Sequence, residues 1–109
     1  LDTIVGEARR AEIRARLEET GRIVVPLSHA QIGEFAGNAL ELRGSRGRFL
    51  AISSRAVDSL TPAQRESIEA VTPLLALDVP TVELAGGSVR CMLAGIHLAA
   101  RSGAAASFA

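Results

Sequence analysis

Hydrophobic positions are sparse and helically spaced at the start of the chain, then gather into short apolar runs punctuated by Gly and Pro. Between Glu7 and Glu19 the residues are mostly Glu, Arg, Ala and Leu, all good helix formers. Ile13 and Leu17 fall on one stripe, Glu12 and Arg16 are spaced to pair, and Thr20-Gly21 supplies a stop. So narrow a stripe predicts a half-exposed helix. Its Arg9, Arg10, Arg14 and Arg16, interleaved with Glu7, Glu12 and Glu18, read as a solvated face and not as an anion-binding patch. Arg22-Ile23-Val24-Val25-Pro26 is β-branched and predicts a strand. Ser28 followed by Gln31 forms a capping box, which starts a short helix ending at Gly37. Residues 39–43 and 48–53 flank Gly44-Ser45-Arg46-Gly47 and predict a hairpin. Thr61-Pro62-Ala63-Gln64 combines a cap, a proline at the first helical position and a Gln three after the cap. In the helix it starts, Ile68 and Val71 are expected to face the core, with Pro73 as its end. Residues 74–79, 81–84 and 89–98 are further extended candidates around the Ala85-Gly86-Gly87-Ser88 turn. Strands alternating with helices predict an α/β or α+β domain.

Length and composition narrow this picture. With 109 residues the chain holds one domain, and 48% apolar residues are enough for a core. No internal repeat or linker divides it, and only residues 102–109, rich in Ala, Ser and Gly, read as a loose tail. The formal net charge is zero, which removes the basic excess that nucleic-acid or acidic-membrane binding needs. All 12 basic residues are Arg, a sign of biased base composition more than of chemistry. The aromatic residues are Phe35, Phe49 and Phe108, so the core is expected to be aliphatic. One cysteine cannot make an internal disulfide. No apolar run approaches the ~20 residues of a membrane span, no start resembles a signal peptide, and a reducing cytoplasmic compartment is expected. The opening Leu1-Asp2-Thr3-Ile4 lacks an initiator Met and reads as the tail of something longer.

Chemistry concentrates at Gly86-Gly87-Ser88-Val89-Arg90-Cys91-Met92. A glycine turn lets a ligand approach the backbone closely, and the single thiol stands just beyond it. A thiolate is nucleophilic where positive charge lowers its pKa and inert where alkyl groups bury it, so the pattern alone leaves both roles for Cys91. The Gly-Gly-Ser turn lacks the end of a phosphate-binding P-loop. Arg90 would point to the opposite face of a strand from Cys91, which suits it to binding a carboxylate or anchoring a neighbouring turn. His97 would lie roughly 20 Å along an extended strand at ~3.3 Å per residue, too far to act as base. His29, at a helix entry, stays open, and Cys91, His29 and His97 lack the spacing of a zinc site. Phe35-Ala36-Gly37-Asn38 reads as a left-handed helix exit whose Asn38 can orient a polar substrate.

Three segments in order carry a resemblance. Thr20-Gly21-Arg22-Ile23-Val24 leads into Phe35-Ala36-Gly37-Asn38-Ala39-Leu40-Glu41-Leu42; Ile52-Ser53-Ser54-Arg55-Ala56 precedes Ser59-Leu60-Thr61 and Gln64; Val79-Pro80-Thr81-Val82-Glu83 precedes the Gly86–Met92 motif. This order resembles the C-terminal part of arginine-deiminase-related proteins of the amidinotransferase superfamily, the citrulline-utilisation hydrolases in particular, over residues 1–101. The resemblance implies a pentein fold, a five-bladed α/β propeller of ββαβ units, with one to two blades present here and the 102–109 tail outside it. It implies that Cys91 is the nucleophile that attacks the central carbon of a guanidine or ureido group, releasing ammonia or amine before water resolves the covalent intermediate. Gly86, Gly87 and Ser88 then form the substrate-approach loop, Asn38 and Arg90 bind substrate, and no metal or cofactor takes part. The implied partner is a guanidino or ureido amino acid, with self-association or docking of the absent blades expected, and no nucleic acid or membrane.

Three departures set limits. The family's catalytic His belongs to a blade preceding Leu1, Ala85 replaces a common third glycine, and Gly95 stands where relatives tend to carry Glu. Two other readings therefore stay open: a non-enzymatic remnant or interaction module of the same fold, and a generic α/β domain with a buried cysteine.

Overall fold

A computed structural model of the chain describes residues 3–95. Helix α1 spans Glu7–Glu19, with Gly6 as its N-cap and Gly21 at φ 77 just past its end. It buries no side chain fully, leaves Ile13 and Leu17 half-buried, and carries Arg9–Glu12 and Arg16–Glu12 ion pairs at 2.6 and 2.8 Å. Exposed pairs of this kind contribute only tenths of a kcal/mol, so this helix is held by propensity and partial burial.

Two helices begin on the expected capping boxes. In α2, His29–Gly33, the Ser28 hydroxyl accepts the Gln31 N–H; in α4, Pro62–Glu69, the Thr61 hydroxyl accepts that of Gln64. The two glutamines then join the boxes. Gln31 Nε2 donates to Gln64 Oε1 at 2.7 Å and to the Ser59 carbonyl at 2.8 Å. In return Gln64 Nε2 donates to Gln31 Oε1 at 3.2 Å and to the Pro26 carbonyl at 2.6 Å. One reciprocal amide pair thus fastens two helix starts to the segment before α2.

The sheet has three strands: β1 Leu40–Gly44, β2 Gly47–Ser53 and β3 Leu74–Leu77, in the order β1-β2-β3. Strands β1 and β2 form the expected antiparallel hairpin, closed by the Gly44↔Gly47 pair, with Gly47 at φ 108. Strand β3 lies parallel to β2, Leu50↔Leu74 through Ser53↔Leu77, after a crossover through α3, Ser54–Ser59, and α4. A central strand is covered on both faces, so the end of β2 is buried without alternation. Ile52, Ala56 and Val57 form the core, with Phe35, Ala39 and Leu74 packed against it. The result is a small mixed α/β unit with the aliphatic core its composition calls for. No helix among the described residues is long and apolar enough to cross a membrane.

Several expectations give way. Residues 22–26 are not a strand: Ile23 is exposed, Val24 and Val25 line a cavity, and no strand pairs with them among the described residues. Residues 81–84 are helical, within α5, Pro80–Leu84, because Pro80 occupies its first turn. Residues 89–98 do not form a strand where described; Val89–Met92 is a 3-10 helix, and 96–98 lie outside the described residues, as does the 102–109 tail. Helix α4 closes at Glu69, ahead of Pro73, and leaves Ile68 half-buried and Val71 65% exposed. Helix α3 went unforeseen because its cap, Ser53, also ends β2; the buried Ser53 hydroxyl accepts the Ala56 N–H at 3.2 Å. The left-handed exit from α2 falls on Phe35, at φ 63, and not on Gly37. That conformation costs roughly 1–2 kcal/mol in a residue with a Cβ. Packing the half-buried ring on the core works against that cost, since full burial of a Phe would contribute about 1.5–3 kcal/mol. Arg55 caps the same ring at 5.4 Å and pairs with Glu34, whose carboxyl this hydrogen bond holds below the usual carboxylate range.

Candidate active site

The α5 exit makes the loop that carries the thiol. Gly86 takes φ 85, a left-handed turn that suits glycine. Gly87 serves by its size: a Cβ there would stand 3.3 Å from Cys91 Cβ and 3.6 Å from Cys91 Sγ. Ser88 is fully buried, donates its hydroxyl to Glu83 Oε1 at 3.1 Å, and accepts the Cys91 N–H on its carbonyl at 3.0 Å. The Ser88–Glu83 bond pins the loop to α5, and the tight 3-10 turn then presents Cys91 outward.

Cys91 is free and exposed, so it does not fill the core. Asn38, just ahead of β1, meets it: Asn38 Nδ2 donates to Cys91 Sγ at 3.1 Å. The other end of that amide accepts the Arg90 backbone N–H at 2.9 Å. A backbone N–H can only donate, so the atom facing it must be Oδ1, which leaves Nδ2 for the sulfur. The Asn38 N–H itself donates to the Phe35 carbonyl at 2.8 Å, so the strained exit from α2 sets where this side chain stands. The Cys91 thiol is lowered from its ordinary value. The Asn38 hydrogen bond is the first cause and the Ser88 backbone N–H the second, opposed by partial desolvation and helped by the Arg90 charge and the residue's own N–H. Arg90 meanwhile reaches back with Nη1 to the Ala39 carbonyl at 3.5 Å. The strand-face argument that separated Arg90 from Cys91 therefore does not apply within this 3-10 turn.

Of the residues singled out by the sequence, Asn38, Arg90, Cys91, Gly86, Gly87 and Ser88 all gather here. Ser88 faces inward, and its backbone, not its hydroxyl, is what meets Cys91. His29 stands exposed at the start of α2, and the side-chain hydrogen bond of Cys91 goes to Asn38 and not to it. His97 lies outside the described residues, and the strand spacing that distanced it from Cys91 is absent over Val89–Met92. Glu83 escaped notice as a site component; its signal was a carboxylate in a proline-started helix one turn before the glycines. Asn38 and Gly86 line a cavity of about 480 Å³ together with Val24, Val25, Leu27, Ile32 and Phe35. Among the described residues no cluster of His, Cys, Asp or Glu could hold a metal ion.

Taken together, these residues supply an exposed, thiolate-favouring cysteine beside an apolar recess, an arrangement suited to nucleophilic attack on an electron-poor carbon. The family model described as N,N dimethylarginine dimethylhydrolase, eukaryotic, matches residues 1–98. No curated protein and no solved structure matches the chain.

Proposed function

The chain belongs to the N,N dimethylarginine dimethylhydrolase family, within the guanidine-modifying superfamily, and from that membership we propose that it carries the nucleophile of a hydrolase acting on an arginine derivative. The observation that carries this reading is the exposed Cys91 sulfur, hydrogen-bonded by Asn38 at 3.1 Å. Cys91 as thiolate attacks the central guanidine or ureido carbon, forming a C–S bond. The C–N bond to the departing amine or ammonia breaks as that nitrogen takes a proton from a general acid. Water then adds to the same carbon, gives up a proton, and the C–S bond breaks to return the thiolate.

The cavity lined by Asn38 and Gly86 suits the aliphatic part of such a substrate, and in this reading Gly86, Gly87 and Arg90, close to Cys91 in the chain, meet its polar end. The substrate class covers methylated arginine, as the family's description names, together with the arginine and citrulline suggested by the sequence resemblance. The general acid is proposed to come from His97 or from the blade that the sequence resemblance sets before Leu1. In the same reading, the three strands are part of a propeller blade, and the outer edges of β1 and β3 are where neighbouring strands or a second copy would pair. A reducing compartment keeps the thiol free for this chemistry.

The test is release of amine or ammonia from methylated arginine, arginine, citrulline and agmatine. It is measured on this chain and on any longer protein that contains it, with Cys91→Ala as control. Turnover that Cys91→Ala abolishes is expected, whereas turnover that survives the substitution would reject the proposal. Loss on His97→Ala places the acid within this chain. Retention of turnover there assigns the acid to a residue other than His97.

A further inference from the structure

We propose that Asn38 is a positioning residue for the Cys91 thiolate, its amide clamped between the Arg90 backbone and the Cys91 sulfur. The inference rests on the reading of Cys91 as nucleophile and gives Asn38 a defined part in it. The argument is one of donors and acceptors. Asn38 Oδ1 is occupied by the Arg90 N–H at 2.9 Å, with the Asn38 carbonyl taking a longer share of the same N–H at 3.4 Å. The amide plane is therefore fixed, and Nδ2 is aimed at Sγ as a group that can donate and cannot accept. A thiol sulfur is a weak acceptor and a thiolate a strong, charge-assisted one, so a fixed donor at 3.1 Å favours the ionised form. The Arg90 charge and the Ser88 backbone act on the sulfur in the same direction from its own turn. With both ends engaged, the orientation of the Asn38 amide is set by Arg90 and Cys91 before any substrate arrives.

Two substitutions separate this role from a merely structural one. Asn38→Asp keeps an oxygen for the Arg90 N–H, so the loop stays tied, but it turns a negatively charged acceptor toward the sulfur. Asn38→Ala removes both bonds. The measurement is the pH dependence of Cys91 alkylation by iodoacetamide, with circular dichroism confirming the fold of each variant. The wild-type midpoint is expected below that of an ordinary cysteine. In Asn38→Ala it rises, and alkylation at neutral pH slows roughly three- to tenfold, because thiolate fraction falls tenfold per unit while nucleophilicity partly recovers. Asn38→Asp shifts the profile further still. A purely structural Asn38 would leave a folded Asn38→Ala on the wild-type profile, and that result overturns the inference. If Asn38→Asp does not fold, an Asn38→Ala profile matching wild type overturns it alone. The alkylation readout needs no substrate, so it stands apart from the turnover test: Cys91→Ala that still turns over would remove the nucleophile reading while leaving the alkylation result intact.

Discussion

Replacing Gln64 by alanine removes the side chain that joins both helix caps. Four hydrogen bonds go with it: those to the Thr61 N–H at 2.8 Å and the Pro26 carbonyl at 2.6 Å, and the reciprocal pair with Gln31 at 2.7 and 3.2 Å. The first two ends are exposed, and water replaces the lost partner, so each contributes near the low end of ~0.5–1.5 kcal/mol. The two bonds to Gln31 are part-buried and nearer ~1 kcal/mol each, since truncation leaves that amide facing a gap. Side-chain entropy regained by removing a fixed Gln offsets about 1 kcal/mol, leaving a net loss of about 2 kcal/mol. Urea unfolding followed by far-UV circular dichroism measures it, on Gln64→Ala, Gln31→Ala and the double variant. The two single losses should exceed the double loss by roughly 1–2 kcal/mol, as expected of residues sharing a network. Strict additivity within ~0.3 kcal/mol would refute the reasoning. Gln64→Glu sharpens the test, because it keeps the acceptor for Thr61 and sets a carboxylate oxygen against the Pro26 carbonyl; it should be destabilised at neutral pH and recover as the carboxylate is protonated.

Further expectations can be checked on the same protein. Gly87→Ala places a Cβ 3.3 Å from Cys91 Cβ and should displace the sulfur from Asn38, raising the alkylation midpoint while changing the urea midpoint little; an unmoved alkylation profile would show that the loop absorbs the methyl. Thr72→Val replaces a buried hydroxyl that lacks a hydrogen-bond partner among the described residues, and should stabilise the fold by about 1 kcal/mol in urea titration.

How far the sequence foretold this structure depended on whether the deciding interaction was local. Ser28 with Gln31, Thr61-Pro62 with Gln64, and the Gly44–Gly47 turn each act within four residues, so those helices and the hairpin were readable. The run 22–26 has strand composition, but strand propensity expresses fit to a partner, and its valines face a cavity instead. The apolar run after Ser88 was ambiguous because a short continuous stretch has no period to read. Pro80 is a helix-start signal, but the β-branched Thr81 and Val82 beside it give the run strand composition. At the site, motif order brought out Cys91, Asn38 and the glycines, while the partners that define their roles were hidden. Glu83 beneath Ser88, and the two-ended grip of Asn38, are made across the fold and leave no pattern along the chain.

Asn38 and Cys91 are 53 residues apart. Drawing the ends of such a loop together costs chain entropy of about 3.5 kcal/mol beyond a constant, more than one hydrogen bond to sulfur returns. The hairpin, the parallel β2–β3 ladder and the Ile52 core between them must supply the difference, and parallel pairing is a slow, non-local event. An unfolded or newly made chain therefore carries an ordinary thiol. The hydrogen bond that favours its thiolate arrives with tertiary structure, so on the proposed reading a nascent chain is spared that chemistry until the sheet has closed.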